Sequence, residues 1–319
     1  MVKACKPKNE ASNIVFEEEI LDRVDNGHLG HKNLSDYGFF TGFLENLVPA
    51  KNVHPYELNT PLFSDYAQKK RFIYLPEGSV IEYHPTEVFD FPVGTVLIKN
   101  FYYDNVQLIN QKGRIIETRL LIKKASEWLA LPYIWNSEQT DAILEITGGV
   151  QEISLLGKKP IHYQIPNMGQ CKGCHQRNGI LQPIGPTARQ LNRNHLDDGE
   201  DSINQLRRLS RLGLLNVSEK EVFPKLSAWN DPKTGSLDER ARAYLEMNCA
   251  HCHRKEGPAK NSGLYLMSSS NGRHALGIMK APVAAGSGSG QLAFDIVPGQ
   301  PEASILLYRM NSTEPAVMM

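Results

Sequence analysis

Apolar and polar positions change rhythm once along this chain, near residue 166. Before it, from about residue 35, apolar positions come in short runs rich in Val, Ile, Tyr and Phe: "RFIYLP" (71–76), "SVIEYHP" (79–85), "GTVLIKNFYY" (94–103) and "RIIETRLLIKK" (114–124). Gly, Pro, Asn and Asp punctuate the runs, which predicts strands joined by turns. "RIIETRLLIKK" alternates only in part, the pattern of a strand covered on both faces. "WLALPYIWNSEQTDAILEI" (128–146) continues the series. Together they predict an antiparallel, sandwich-like or barrel-like β domain.

After residue 166 the period lengthens. In "SINQLRRLSRLG" (202–213), Ile203, Leu206, Leu209 and Leu212 share a helical face, with Ser202 and Gln205 as a capping box and Gly213 as the stop. "SLDERARAYLEMN" (236–248) is the next helix, its capping box Ser236 and Glu239. "PEASILLYRM" (301–310) is a last helix, opened by Pro301 and Glu302. "WNDPKTG" (229–235) reads as a linker and "AAGSGSGQ" (284–291) as a flexible loop. The expected architecture is multidomain α+β. It has an extended lead-in (1–34), a mainly-β domain (35–165), a first mainly-α haem-type region (166–235) and a second (236–319).

Composition narrows the function classes. A chain of 319 residues suggests two or three domains. Its 35 Lys and Arg balance 35 Asp and Glu, which argues against a nucleic-acid partner or a basic membrane-surface helix. No apolar run reaches bilayer length. "MVKACKPKNE" lacks the apolar core of a signal peptide. If the native start lies upstream, Cys5 stands near a mature terminus and could carry a lipid. Lys3 makes "VKAC" a poor lipidation motif, and a plain terminal cysteine is an equal alternative.

The other four cysteines form two pentads, "CKGCH" (171–175) and "CAHCH" (249–253). Covalent attachment of a c-type haem needs two thiols, one for each vinyl group. A two-residue gap presents both to one ring edge, and the next His lies under the iron. Two haems c are therefore the expected cofactors, held by Cys171 and Cys174 and by Cys249 and Cys252, with His175 and His253 as proximal iron ligands. A Cys₄ zinc site usually spaces its pairs more closely and does not require His after both. A thioredoxin-like pair follows a strand, whereas "CAHCH" ends a helix. Both remain as weaker alternatives.

The sixth iron ligand decides between electron transfer and reaction at an open iron. Met267, His274, Met279, Met310, Met318 and Met319 follow the second pentad; taken singly, each is more often a packing or surface residue. "AVMM" stands out, because a helix and a short loop lead it back toward the pentad. For the first haem the choices are His195, more often a surface residue in so polar a stretch, Met247, which reads as core, and Met168. An open position is the alternative.

"YLEMNCAHCHR", "GPAKNSGLYL", "APVAAGSGSG" and the closing "DIVPGQPEASILLYRMNSTEPAVMM" resemble the C-terminal domain of a little-studied family of bacterial dihaem c-type cytochromes. "PNMGQCKGCHQRNG" with "IGPTARQLNR" is similar to the family's first haem region, and "FPVGTVLIKNFYY" and "YIWNSEQTDAIL" to its β half. The resemblance covers most of the chain and implies a secreted or lipid-anchored protein, in some members encoded beside a parallel β-helix repeat protein. "IVPGQPEASILLYRM" is also similar to the end of planctomycete-type cytochrome domains, where a Met-Pro completes the iron. That likeness implies Met319 as distal ligand, with Met318 second. The sequence stops at Met319 where the pattern continues with Pro.

The expected function is periplasmic electron transfer through two covalent haems, in the periplasm or attached to the outer membrane. The expected partner is a redox protein or a neighbouring secreted protein. One rival is a dihaem peroxidase or related haem enzyme with one open axial site. The other is a binding module whose β domain recognises a partner while the haems relay electrons.

Overall fold

The computed structural model describes residues 29–109, 112–195, 203–283 and 286–319. The chain forms two compact units, each discontinuous in sequence. The first takes the described residues up to Asn59, then Phe63–Lys172 and Leu181–Lys225; the second takes Thr60–Leu62, Gly173–Ile180 and Leu226–Met319. The stretch 166–235 is thus shared between them. Cys5 and Ser202 lie outside the described residues.

The first unit is built on a six-stranded antiparallel meander. Its strands are β1 (Val53–Tyr56), β2 (Gln68–Tyr74), β3 (Val96–Tyr103), β4 (Arg114–Lys123), β5 (Trp128–Trp135) and β6 (Ala142–Leu144), each paired with its chain neighbour. One face buries Tyr74, Ile98, Leu120, Ile122 and Tyr133 against Tyr37 and Phe39 from the segment before β1. On the other face, Ile73, Leu75, Leu97 and Ala130 pack with Leu191, Leu206 and Leu209. Further along it, Phe101, Tyr103 and Ile116 pack with Ile153, Tyr163 and Ile165 of a two-stranded hairpin. The register shifts between Phe101 and Tyr102, so Ile116 is an extra residue that bulges β4. Both faces are covered, as the incomplete alternation of β4 predicts. The covering layer is not a second large sheet: the remaining sheets among the described residues have two strands each. That corrects the sandwich-like expectation. Short helices and one hairpin suffice to bury the second face.

Regular helix after residue 166 is sparser than expected. The helices longer than one turn are α1 (Met168–His175), α2 (Gln205–Arg211), α3 (Leu237–Asn248) and α4 (Ile305–Asn311), with a single helical turn at Ala188–Leu191. The α3 capping box of Ser236 and Glu239 is present. Helix α2 starts later than the pattern predicts, because Asn204 caps it by accepting from the backbone N–H groups of Leu206 and Arg207. Leu206 and Leu209 are buried as expected, but Leu212 lies past the helix and is exposed. Ile203 sits on a two-residue strand. Within the described residues no helix is long and apolar enough to cross a membrane.

Candidate functional site

The second pentad follows directly from α3. Cys249 is the helix C-cap residue, its N–H bonded to Leu245 O, and the chain then tightens so that His253 N–H donates to Cys249 O at 2.8 Å. The loop beyond is tied back to the pentad: Ala259 N–H donates to Cys252 O at 3.1 Å and Leu266 N–H to His253 O at 2.9 Å. Gly257 permits this fold-back, since a Cβ there would sit 2.3 Å from Cys252 O.

A cavity of about 530 Å³ opens on this pentad, within the usual size of a cofactor pocket. Cys249, Cys252 and His253 line one side, and Leu264, Leu276, Ile296 and Ile305 give apolar walls. Met318 and Met319 line the same cavity. They are brought there by Arg309 on α4, whose Nε donates to Val317 O at 2.8 Å, and by Met318 N–H donating to Glu314 O at 2.8 Å. Asp295, also on the wall, is ion-paired with buried Lys280 at 3.0 Å.

His253 is held by Ser262, its Nδ1 lying 3.0 Å from Oγ. The Ser262 hydroxyl donates its proton to Ala259 O at 2.7 Å, so it accepts from Nδ1–H. This arrangement suits the Nδ1–H tautomer, in which the Nε2 lone pair can ligate a metal. Burial, then Arg309, lowers the His253 pKa, which keeps the ring neutral. Burial also lifts the Cys249 thiol to about 11.

The first pentad lies wholly on α1. Asn167 Oδ1 accepts from Gln170 N–H at 2.8 Å, while Gln170 Oε1 accepts from Asn167 N–H at 2.9 Å, a reciprocal cap that starts the helix. Three-residue spacing sets both sulfurs on one helix face. Cys171 belongs to the first unit, buried in a core cluster; exposed Cys174 and half-buried His175 belong to the second. The Cys174 thiol hydrogen-bonds with Cys252 and His251, which hold its pKa down at about 4 and push that of Cys252 up. Cys174 also lines the cavity.

Of the axial candidates, Met318 and Met319 share the cavity with His253, while Met267, His274, Met279 and Met310 are not among its lining residues. Met168 packs against the core of the sheet and Met247 is buried. His195 lies on a two-residue strand paired with Ile203–Asn204. Sequence reading missed Ser262 and Arg309. Ser262 falls inside the quoted "GPAKNSGLYL" and Arg309 inside the predicted helix "PEASILLYRM", but neither residue type there carries a signal for its partner.

The donor set fits a covalent haem. The second pentad offers two thiols, a neutral imidazole whose Nε2 could ligate a metal, and an apolar cavity lined also by two thioether sulfurs. Among the described residues, no three His, Cys, Asp or Glu side chains are grouped to hold a bare metal ion. Comparisons with family models, curated proteins and solved structures give no match.

Proposed function

We propose that this chain is a dihaem c-type cytochrome that transfers electrons in the periplasm, its α regions serving as cytochrome-like haem carriers. One observation carries this reading: the cavity at the second pentad gathers His253, Met318 and Met319 around an apolar space that Cys249 and Cys252 border. Cys171 with Cys174 and Cys249 with Cys252 would hold the rings, and His175 and His253 would take the proximal positions. Met319 is the preferred sixth ligand of the second haem. When bound, the haem iron supplies one-electron chemistry. The chain supplies fixed ligands, a buried ring and a tuned potential. The Cys174–Cys252 hydrogen bond adds support, because it brings one attachment sulfur from each pentad into contact. A redox protein partner and export to the periplasm belong to the same proposal.

Mass spectrometry of periplasmic protein, with a pyridine haemochrome spectrum, tests it. The expected mass exceeds the polypeptide by two haem groups after denaturation. Protein made beside haem-attachment machinery that carries no covalent haem would refute it.

A further inference from the structure

The sheet of the first unit carries a row of like charges. Arg71 on β2 stands directly opposite Lys99 on β3, and Lys99 directly opposite Arg119 on β4. One row on, Lys69 faces Phe101. Like charges opposed across strands repel, and this row is not on a solvated surface. Arg71 is 8% exposed, and Lys69, Lys99 and Arg119 are half-buried. Three of the cations converge on one ring: Arg119 Cζ, Lys99 Nζ and Lys69 Nζ lie 4.3, 4.7 and 5.9 Å from the Phe101 centroid.

The chain's own anions do not balance them. Fully buried Glu117 is engaged by Arg119, Nε to Oε2 at 2.9 Å and Nη2 to Oε1 at 2.5 Å, and by the Tyr163 hydroxyl at 2.6 Å. Glu57 pairs with Arg193 at 2.9 Å, and Asp65 offsets Lys69. Among the described residues, Lys99 has no carboxylate at ion-pair distance, and Arg71 Nη2 is buried with no hydrogen-bond partner. Burial, then Arg71, Arg119 and Lys69, drives the Lys99 pKa far below the usual lysine range, Glu117 offsetting only part. Leaving such cations unpaired is costly, so the arrangement calls for a counter-anion.

We infer that Arg71, Lys99 and Arg119, with Lys69 beside them, form an oxyanion site that takes one carboxylate or phosphate group. The planar fork of Arg71 suits bidentate contact with either, while Arg119, whose Nε and Nη2 are taken by Glu117, adds positive charge beside it. The group could come from two sources. Cys171 is buried in the same core cluster as Ile73 and Leu97, the next residues along that face from Arg71 and Lys99, so a haem attached at the first pentad could supply a propionate. A diffusing anion is the other source. Only the first rests on the haem reading.

The test uses full-length haem-loaded protein, as wild type, Lys99→Met and Arg71→Met. Each is melted against inorganic phosphate at ionic strength matched with chloride, and both haem potentials are measured. A diffusing occupant predicts a saturable rise in wild-type melting temperature, with the phosphate affinity at least about tenfold weaker in Lys99→Met. A propionate occupant predicts no saturable phosphate effect and a fall in one potential in Lys99→Met, the other staying fixed. Should Arg71→Met not fold, Lys69→Met gives the same readouts. A wild type without a saturable phosphate response, whose two potentials are unmoved in the variants, overturns the site. A chain that mass spectrometry finds without haem refutes the haem reading alone, and the phosphate titration of that full-length chain still tests the site.

Discussion

His253 and Ser262 share a hydrogen bond whose direction is set, because the serine proton already goes to Ala259 O. An acceptor on Nδ1–H makes imidazole a stronger donor to a metal through Nε2 and favours the ferric state. With the two proposed haems in place, Ser262→Ala is therefore expected to raise one of the two potentials, leaving the other unchanged, while Ser262→Thr keeps the wild-type value. Spectroelectrochemical titration reads both.

Met318 and Met319 both reach the cavity, and the choice between them is testable. A thioether sixth ligand raises the potential and gives a weak ferric band near the red end of the visible spectrum. Met319→Ala is expected to abolish that band and lower one potential; Met318→Ala leaves both in place. The reverse pattern would move the assignment to Met318.

Contact between Cys174 and Cys252 predicts that two haems linked there lie edge to edge. Circular dichroism of the reduced protein should then show a two-signed Soret couplet. A single-signed Soret band from a protein proven to hold two haems would contradict this.

Thr118 sits in the sheet core with both roles of its hydroxyl used. It donates to Asn100 Oδ1 at 2.6 Å and accepts from Trp135 Nε1 at 2.9 Å. Thr118→Val keeps the shape and strands two buried polar groups, at an expected loss of about 2–5 kcal/mol. Thr118→Ser should lose much less. Urea unfolding measures both.

Lys69 gives a pH signature. Burial, then Arg71 and Arg119, lowers its pKa to about 8 from an unfolded value of 10.5, with Asp65 offsetting part. Below pH 8 both states hold the proton. Between about pH 8 and 10 the unfolded chain binds more protons, so stability should rise with pH. Tyr56, pushed up to about 12 by burial, acts in the opposite sense only once unfolded tyrosines ionise near pH 10. Lys99, lowered further still, contributes to the same rise, so Lys69→Met should make it shallower between pH 8 and 10 without abolishing it, measured by chemical denaturation at pH 7, 8, 9 and 10.

The pentads, the α3 capping box and the longer strands were legible because their signals are local. Ser236 and Glu239 are three residues apart, and β3 and β4 announce themselves by composition. Helix α2 starts later than its pattern predicts because Asn204, further along than Ser202, supplies the cap, and tertiary pairing of Asn194–His195 with Ile203–Asn204 holds Ile203 extended. The cation row was invisible for a different reason. Arg71, Lys99 and Arg119 lie on separate strands, and only the register opposes them. Sequence supplied Met319 as a candidate but not the Arg309 bond that steers its segment.

The small segment Thr60–Leu62 has a kinetic consequence. Thr60 is fully buried; its hydroxyl donates to Ser227 O at 2.7 Å and accepts from Trp229 N–H at 3.1 Å, across 167 and 169 residues of chain. Pairings so distant in sequence form slowly, since a long loop must close before they repay its entropy. A nascent chain can assemble the meander from neighbouring strands as they emerge, but the second unit must wait for nearly all of the polypeptide. A fragment beginning at Leu226 would lack both Thr60 and His175, so that unit cannot be dissected out by truncation.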